Sequence, residues 1–165
     1  MSNFKSVRCG SSKPTPFLRK NIGLLTECVD AAHVVDIGCG NGRNSIYLRD
    51  LGMHVMSLDG KGDYGIKWKA GNKIPTEAGS VDIILCNYVL MFLKGCTRND
   101  VYAEIDRVAV NGCRLMIEVD NIKNSLINTE DLLEELNDEI KVEFEDRGWR
   151  VLKLLKNKYI YEKRV

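Results

Sequence analysis

Val34-Val35-Asp36-Ile37-Gly38-Cys39-Gly40-Asn41-Gly42-Arg43-Asn44 decides how this chain folds. A short β-branched run ends in an aspartate, three alternate glycines follow, and a helix-forming segment begins. Glycines at every second position let the backbone turn sharply and approach a ligand closely. The helix behind them aims its free N–H groups at the same place. A nucleotide-type cofactor at the carboxyl ends of parallel strands is the natural occupant. The spacing narrows the choice. A dinucleotide loop needs G-x-G-x-x-G, but the third glycine here is Gly42 and the next position is Arg43. No G-x-x-x-x-G-K-[ST] phosphate loop occurs. Asp36 would set negative charge beside a pyrophosphate, whereas it suits an ammonium or sulfonium.

Outward from the loop, strand and helix signals alternate. Residues 17–30 carry apolar positions at mixed helical spacing, and Asn44 to Leu51 reads as a helix stopped by Gly52. His54 to Leu58 is a second strand ending in Asp59. Residues 60–80 are rich in turn formers, with one short strand near Ile66-Lys67-Trp68. Val81 to Cys86 is a third clear strand. Asn99 to Ala109 reads as a helix, and Gly112 leads into the strand Arg114 to Val119. Thr129 caps an acidic helix that Gly148 closes. Trp149 to Leu155 and Lys158 to Tyr161 form a closing hairpin. This order predicts an α/β fold with a mostly parallel sheet covered on both faces and an antiparallel edge strand from the hairpin.

Length and composition set the outer bounds. The chain has 165 residues, 44% hydrophobic and 28% charged, which predicts one domain with its own core. Residues 1–16, with Lys5, Arg8 and Lys13, read as a flexible basic arm before a single domain spanning 17–165. A net charge of +1 gives no broad field for steering a polyanion, so nucleic acid is a disfavoured partner. No apolar run approaches the roughly 20 residues that cross a bilayer. The opening Met1-Ser2-Asn3-Phe4-Lys5 is not a secretory leader. The six cysteines include no C-x-x-C pair, and His33 and His54 stand apart, so neither a zinc site nor a disulfide framework is expected. Reduced thiols predict a cytoplasmic protein.

Asp36-Ile37-Gly38-Cys39-Gly40-Asn41-Gly42 resembles the first motif, [DE]-x-G-x-G-x-G, of class I S-adenosylmethionine-dependent methyltransferases. Further pieces fall in order. Asp59 stands where the family grips the ribose hydroxyls. Ile74-Pro75 through Val81-Asp82 resembles the family's lead into strand four. Val81 to Leu93 resembles that strand and the helix after it, and Gly112 to Ile117 resembles the entry to strand five. Gly42 to Leu48 and Val89 to Leu93 look like the tellurite-resistance methyltransferase branch. The resemblance covers residues 17–165. It implies a doubly wound sheet of seven strands or slightly fewer, in a three-layer αβα sandwich.

The resemblance implies S-adenosylmethionine as cofactor and S-adenosylhomocysteine as product. Asp36, Gly38, Cys39, Gly40, Gly42, Arg43, Asn44, Asp59, Gly60, Asn72 and Asn87 are the candidate cofactor-binding residues, and no metal is implied. Ala70 stands where many members carry an acid for the adenine amine, which shifts that role to backbone groups or Asn72. The N-P-P-Y motif is replaced by Cys86-Asn87-Tyr88-Val89, which counts against DNA adenine methylation. Asn87 and Tyr88 end the strand beside the expected methyl group and are the candidate catalytic residues. Each has a blander reading: Asp59 as a strand cap, Asp36 as an anchor for loop N–H groups, Arg43 as a surface residue. Met91-Phe92-Leu93 reads as helix core. The implied chemistry is direct in-line methyl transfer, which requires no general base if the acceptor offers a free lone pair. A compact chain predicts a small-molecule acceptor. A non-catalytic cofactor-binding module and an RNA methyltransferase using the basic arm are the alternatives.

Overall fold

The computed structural model describes residues 13–27 and 29–164. Residues 1–12 of the expected basic arm lie outside them, as do Cys9 and Cys28. Seven strands form one sheet: β1 (His33–Ile37), β2 (His54–Asp59), β3 (Ile66–Lys67), β4 (Val81–Asn87), β5 (Ala109–Glu118), β6 (Arg150–Leu155) and β7 (Lys158–Glu162). Their spatial order is β3-β2-β1-β4-β5-β7-β6. Neighbours from β3 to β5 are parallel, and β7 runs antiparallel to both β5 and β6. The expected doubly wound α/β sheet is therefore present, but its one reversed strand, β7, is not the edge strand expected: it inserts between β5 and β6, and β6 takes the edge.

Helices α1 (Pro16–Thr26) and α2 (Arg43–Asp50) cover one face, and α3 (Gly95–Val108) and α4 (Glu130–Asp146) cover the other. The split follows from strand alternation. Val34, Ile83, Leu85, Met116 and Ile160 pack with Phe17, Leu18 and Leu48. Their chain neighbours Val35, Ile84, Leu115, Ile117, Tyr159 and Tyr161 pack with Tyr102, Ile105, Ile140 and Phe144. Both halves bury β-branched and aromatic side chains, so each strand reads as a continuous apolar run.

Three details depart from the sequence reading. First, α3 begins at Gly95, a turn before the expected Asn99. Arg98 accounts for this: it donates to the Leu93 carbonyl at 2.7 Å and pairs with Glu139 of α4 at 2.7 Å, so tertiary contacts hold a turn of poor intrinsic propensity. Second, the segment after β4 is a single 3₁₀ turn, Leu90–Phe92, and only part of it is core. Met91 is fully buried, while Phe92 is 49% exposed. Third, β5 starts at Ala109 and runs through Gly112, because Ala109 pairs with Val81 before a register shift. Gly112 takes φ 88° there and donates to the Lys163 carbonyl.

The ends are tied in locally. Thr15 is buried and its N–H donates to Asn44 Oδ1 at 2.9 Å, so the folded body begins before Pro16. Thr129 caps α4 as expected, accepting from the Leu132 N–H at 3.2 Å. Replacing this cap costs about 1 kcal/mol. Thr129→Ala is expected to lower the melting temperature by roughly 2–4 °C, as a calorimetric scan would show.

Candidate functional site

Strand order reverses beside β1, because β2 and β4 flank it on opposite sides. That is the switch point at which open α/β sheets bind ligands, outside the carboxyl ends of the strands. A cleft of about 1220 Å³ opens there. Gly38 and Gly40 after β1, Asp59 and Gly60 at the end of β2, Ala70 and Asn72 after β3, and Tyr88 after β4 all line it. Single-ligand pockets run roughly 300–1,000 Å³, so this volume has room for a cofactor and a second small molecule.

The glycine loop forms the floor. Gly38, Gly40 and Gly42 take φ of 66°, 56° and 84°, the left-handed region where side chains are strained. Their surroundings differ. A Cβ on Gly38 would lie 2.4 Å from Val89 Cγ2, and one on Gly42 would lie 2.3 Å from Tyr64 Cδ1. A Cβ on Gly40 would meet no atom within 4 Å, because that position faces open space. The Cys39 N–H donates to the Leu58 carbonyl at 2.9 Å and pins the loop to β2. Cys39 itself is buried, and burial pushes its thiol up to about 12, so it stays neutral. Gly42 caps α2, whose first-turn N–H groups have no side-chain cap, although Arg43 N–H reaches Asn41 Oδ1 at 3.3 Å.

Asp59 receives the loop from the other side. Its Oδ1 accepts from the Gly40 N–H at 3.4 Å and its Oδ2 from the Lys61 N–H at 3.1 Å. Both oxygens keep spare lone pairs at the cleft wall. Asp36 is 2% exposed beneath the loop, and its partner is the Ser45 hydroxyl at 2.7 Å rather than a loop N–H. Ser57 donates in turn to Ser45 at 2.6 Å.

Burial raises the Asp36 pKa to about 6 from 3.8, with Asp59 adding to the rise and Ser45 and Arg49 opposing it. A carboxyl with a raised folded-state value binds its proton more tightly folded than unfolded, so its contribution to stability falls as pH rises from about 4 to 6. Asp36→Asn removes that loss. The variant is expected to gain on the wild type through this window, by an amount on the order of 3 kcal/mol, and to hold the gain above it. Urea unfolding at a series of pH values measures the difference.

Not every expected residue faces the cleft. Asn44 is turned to Thr15, Gly42 is packed against Tyr64, and Arg43 is half-buried near Tyr88. Asn87 ends β4 with both its amide oxygen and its amide nitrogen buried and unpartnered. Tyr88, at φ 58°, is strained for a bulky residue, and its Oη donates to Glu118 Oε1 at 3.2 Å.

The sequence reading missed several lining residues. Trp68 is a buried wall whose Nε1 donates to the Lys73 carbonyl at 3.2 Å. Lys61, Lys67, Lys69 and Lys94 stand around the opening, and Phe92 and Leu93 add an apolar lip. Glu118, behind Tyr88, was also passed over. A carboxylate inside the apolar run Leu115-Met116-Ile117-Glu118-Val119 was the available signal.

A family model described as a methyltransferase domain matches residues 35–117, half of the chain. No curated protein matches the chain in sequence. Among solved structures, it is similar to an S-adenosylmethionine-dependent methyltransferase from Aquifex aeolicus, with 21% identity, 99% of this chain and 98% of that one covered, and a TM-score of 0.65. TehB from Haemophilus influenzae aligns with 18% identity, 88% and 62% coverage, and a TM-score of 0.66. The Burkholderia thailandensis 1,6-didemethyltoxoflavin-N1-methyltransferase, solved with 1,6-didemethyltoxoflavin and S-adenosylhomocysteine, aligns with 17% identity, 90% and 76% coverage, and a TM-score of 0.63. At such identities these structures speak for the fold.

Proposed function

Because the chain belongs to the methyltransferase domain family, we propose that it methylates a small molecule by direct in-line transfer, in the cleft over Gly40. Its cofactor is S-adenosylmethionine and its product S-adenosylhomocysteine. When bound, that cofactor supplies a methyl group on a sulfonium, an electrophile that is already activated. The remaining work belongs to the protein: holding the two reactants in line and keeping water out.

The residues at the cleft fit the cofactor. Asp59 offers carboxylate lone pairs to the ribose hydroxyls. Gly38, Gly40 and Gly60 leave space where a side chain would intrude. Asn72 and the backbone beside Ala70 take the adenine edge. Asp36, ionised beneath the loop, favours the cationic methionine end. Tyr88, which lines the cleft, and Asn87, whose amide is buried beside it, are assigned to the acceptor side.

The observation that carries the small-molecule reading is the cleft volume of about 1220 Å³ in a chain whose sheet and four helices already run from Pro16 to Glu162. Little surface remains for seating a large substrate. The Burkholderia thailandensis methyltransferase, solved with 1,6-didemethyltoxoflavin and S-adenosylhomocysteine bound, supplies a parallel. Lys61, Lys67, Lys69 and Lys94 around the opening favour RNA as the second reading. Free cysteines at 39, 86, 96 and 113 agree with a cytoplasmic setting. No helix among the described residues is long and apolar enough to cross a membrane.

Methyl-labelled cofactor incubated with the protein and cell extract tests this. Label is expected in a new dialysable species that separates from the cofactor by chromatography and does not form without the protein. Label confined to RNA, with affinity that falls steeply as salt rises, would establish the second reading instead.

A further inference from the structure

Tyr88 and Glu118 meet at the carboxyl ends of β4 and β5, where Asn87 and Glu118 are register partners. Four observations there have no use in holding the cofactor. Tyr88 adopts φ 58°, a left-handed conformation that costs a bulky residue about 1–3 kcal/mol and concentrates at functional sites. The Glu118 carbonyl accepts from the Tyr88 N–H at 2.7 Å and holds the residue in that conformation. Glu118 is fully buried, yet its Oε2 has no hydrogen-bond partner. The phenol proton is already committed to Glu118 Oε1 at 3.2 Å, while Tyr88 itself lines the cleft.

A buried carboxylate with one free oxygen is expensive to keep. Lys158, 3.4 Å from Oε1 and itself partly exposed, offsets only part of that cost. Burial and Glu118 push the Tyr88 phenol up to about 12, with Asp120 adding to the rise and Arg43 opposing it. At neutral pH the phenol therefore keeps its proton and points it at Glu118. Its oxygen lone pairs are left to accept a hydrogen bond from the cleft.

We propose that Tyr88 and Glu118 form a proton path for an acceptor whose nucleophile carries a proton, a hydroxyl or an N–H group. The proposal rests on the methyl-transfer reading and names its acceptor class. The acceptor O–H or N–H donates to Tyr88 Oη and is thereby aligned. As its heteroatom bonds to the methyl carbon, the methyl–sulfur bond breaks and leaves its electron pair on sulfur. The acceptor proton passes to Tyr88 Oη, and the Tyr88 proton passes to Glu118 Oε1. The carboxyl later loses it to water. Tyr88 is the catalytic residue and Glu118 a positioning residue that acts through it.

The first test needs no acceptor. In protein labelled with carbon-13 at the tyrosine ζ position, the Tyr88 resonance is the one absent from Tyr88→Phe. It is expected to titrate near 12, and to titrate lower in Glu118→Gln, where burial remains but the carboxylate does not. A midpoint unchanged in Glu118→Gln overturns the dyad. The second test uses labelled cofactor with a panel of phenols, primary amines, N-heterocycles and thiols. Tyr88→Phe and Glu118→Gln are expected to lower kcat about 100-fold on an O–H or N–H acceptor, with cofactor affinity by calorimetry within twofold of wild type. Wild-type transfer that both variants match, or transfer only to thiolates, overturns the path and leaves methyl transfer standing. A folded wild type that methylates neither the panel nor cell extract removes the methyl-transfer reading, and the path with it.

Discussion

Asp59→Ala is expected to weaken S-adenosylmethionine binding about a hundredfold or more while leaving the fold intact. Two ribose hydroxyls donating to one carboxylate are charge-assisted bonds, worth roughly 1.5–3 kcal/mol each when nothing replaces them. Every 1.4 kcal/mol is about tenfold in affinity. The fold loses less. Asp59 contributes two bonds of its own, from the Gly40 and Lys61 N–H groups at 3.4 and 3.1 Å. Both sit at a solvent-facing loop, where a typical hydrogen bond is worth about 1 kcal/mol. Asp59→Asn keeps one oxygen acceptor and is expected to fall between the two. Calorimetric titration with S-adenosylhomocysteine measures the affinity, and a thermal scan measures the fold. Wild-type affinity in a destabilised Asp59→Ala would make the residue a strand cap and end the ribose assignment.

Gly40→Val is expected to abolish cofactor binding altogether, and the comparison with its neighbours makes the result specific. All three loop glycines have positive φ, so each substitution carries a strain of about 1–3 kcal/mol. At Gly38 and Gly42 the new side chain also strikes Val89 or Tyr64 at under 3 Å, so the loop must shift and stability drops further. At Gly40 nothing lies within 4 Å, so the added atoms stand in the cleft itself. The prediction is a folded Gly40→Val with no measurable binding and less destabilised Tm than Gly42→Val. If Gly40→Val binds like the wild type, the cleft over this loop is not the cofactor site.

The fold was legible because its signals are local. Val34 to Ile37 and Val81 to Cys86 are largely apolar runs bounded by turns, the glycine loop follows the first of them, and Asp59 ends β2 beside it, where a parallel sheet gathers its binding groups. What stayed hidden depends on contacts across the chain. Glu118 stands against Asn87 only through the β4–β5 register, which no spacing along the chain reveals. The left-handed backbone of Tyr88 has no sequence signature, since φ above zero is expected of glycine or asparagine. Gly95 starts α3 because Arg98 reaches Glu139 on a helix that comes later in the chain. Asn44, at the start of the helix after the loop, is a cofactor-binding candidate by sequence but is spent on Thr15, a partner 29 residues away. Phe92 sits in an apolar stretch that reads as core, yet a short 3₁₀ turn rotates it to the cleft lip.

A crystal structure of the full chain with S-adenosylhomocysteine decides where the cofactor sits. The ribose hydroxyls are expected on the Asp59 carboxylate, the glycine loop beneath the ligand at Gly40, and the sulfur turned toward Asn87 and Tyr88. Ligand bound outside this cleft, or within it but with the ribose away from Asp59, would end the assignment of the cleft as the methyl-transfer site.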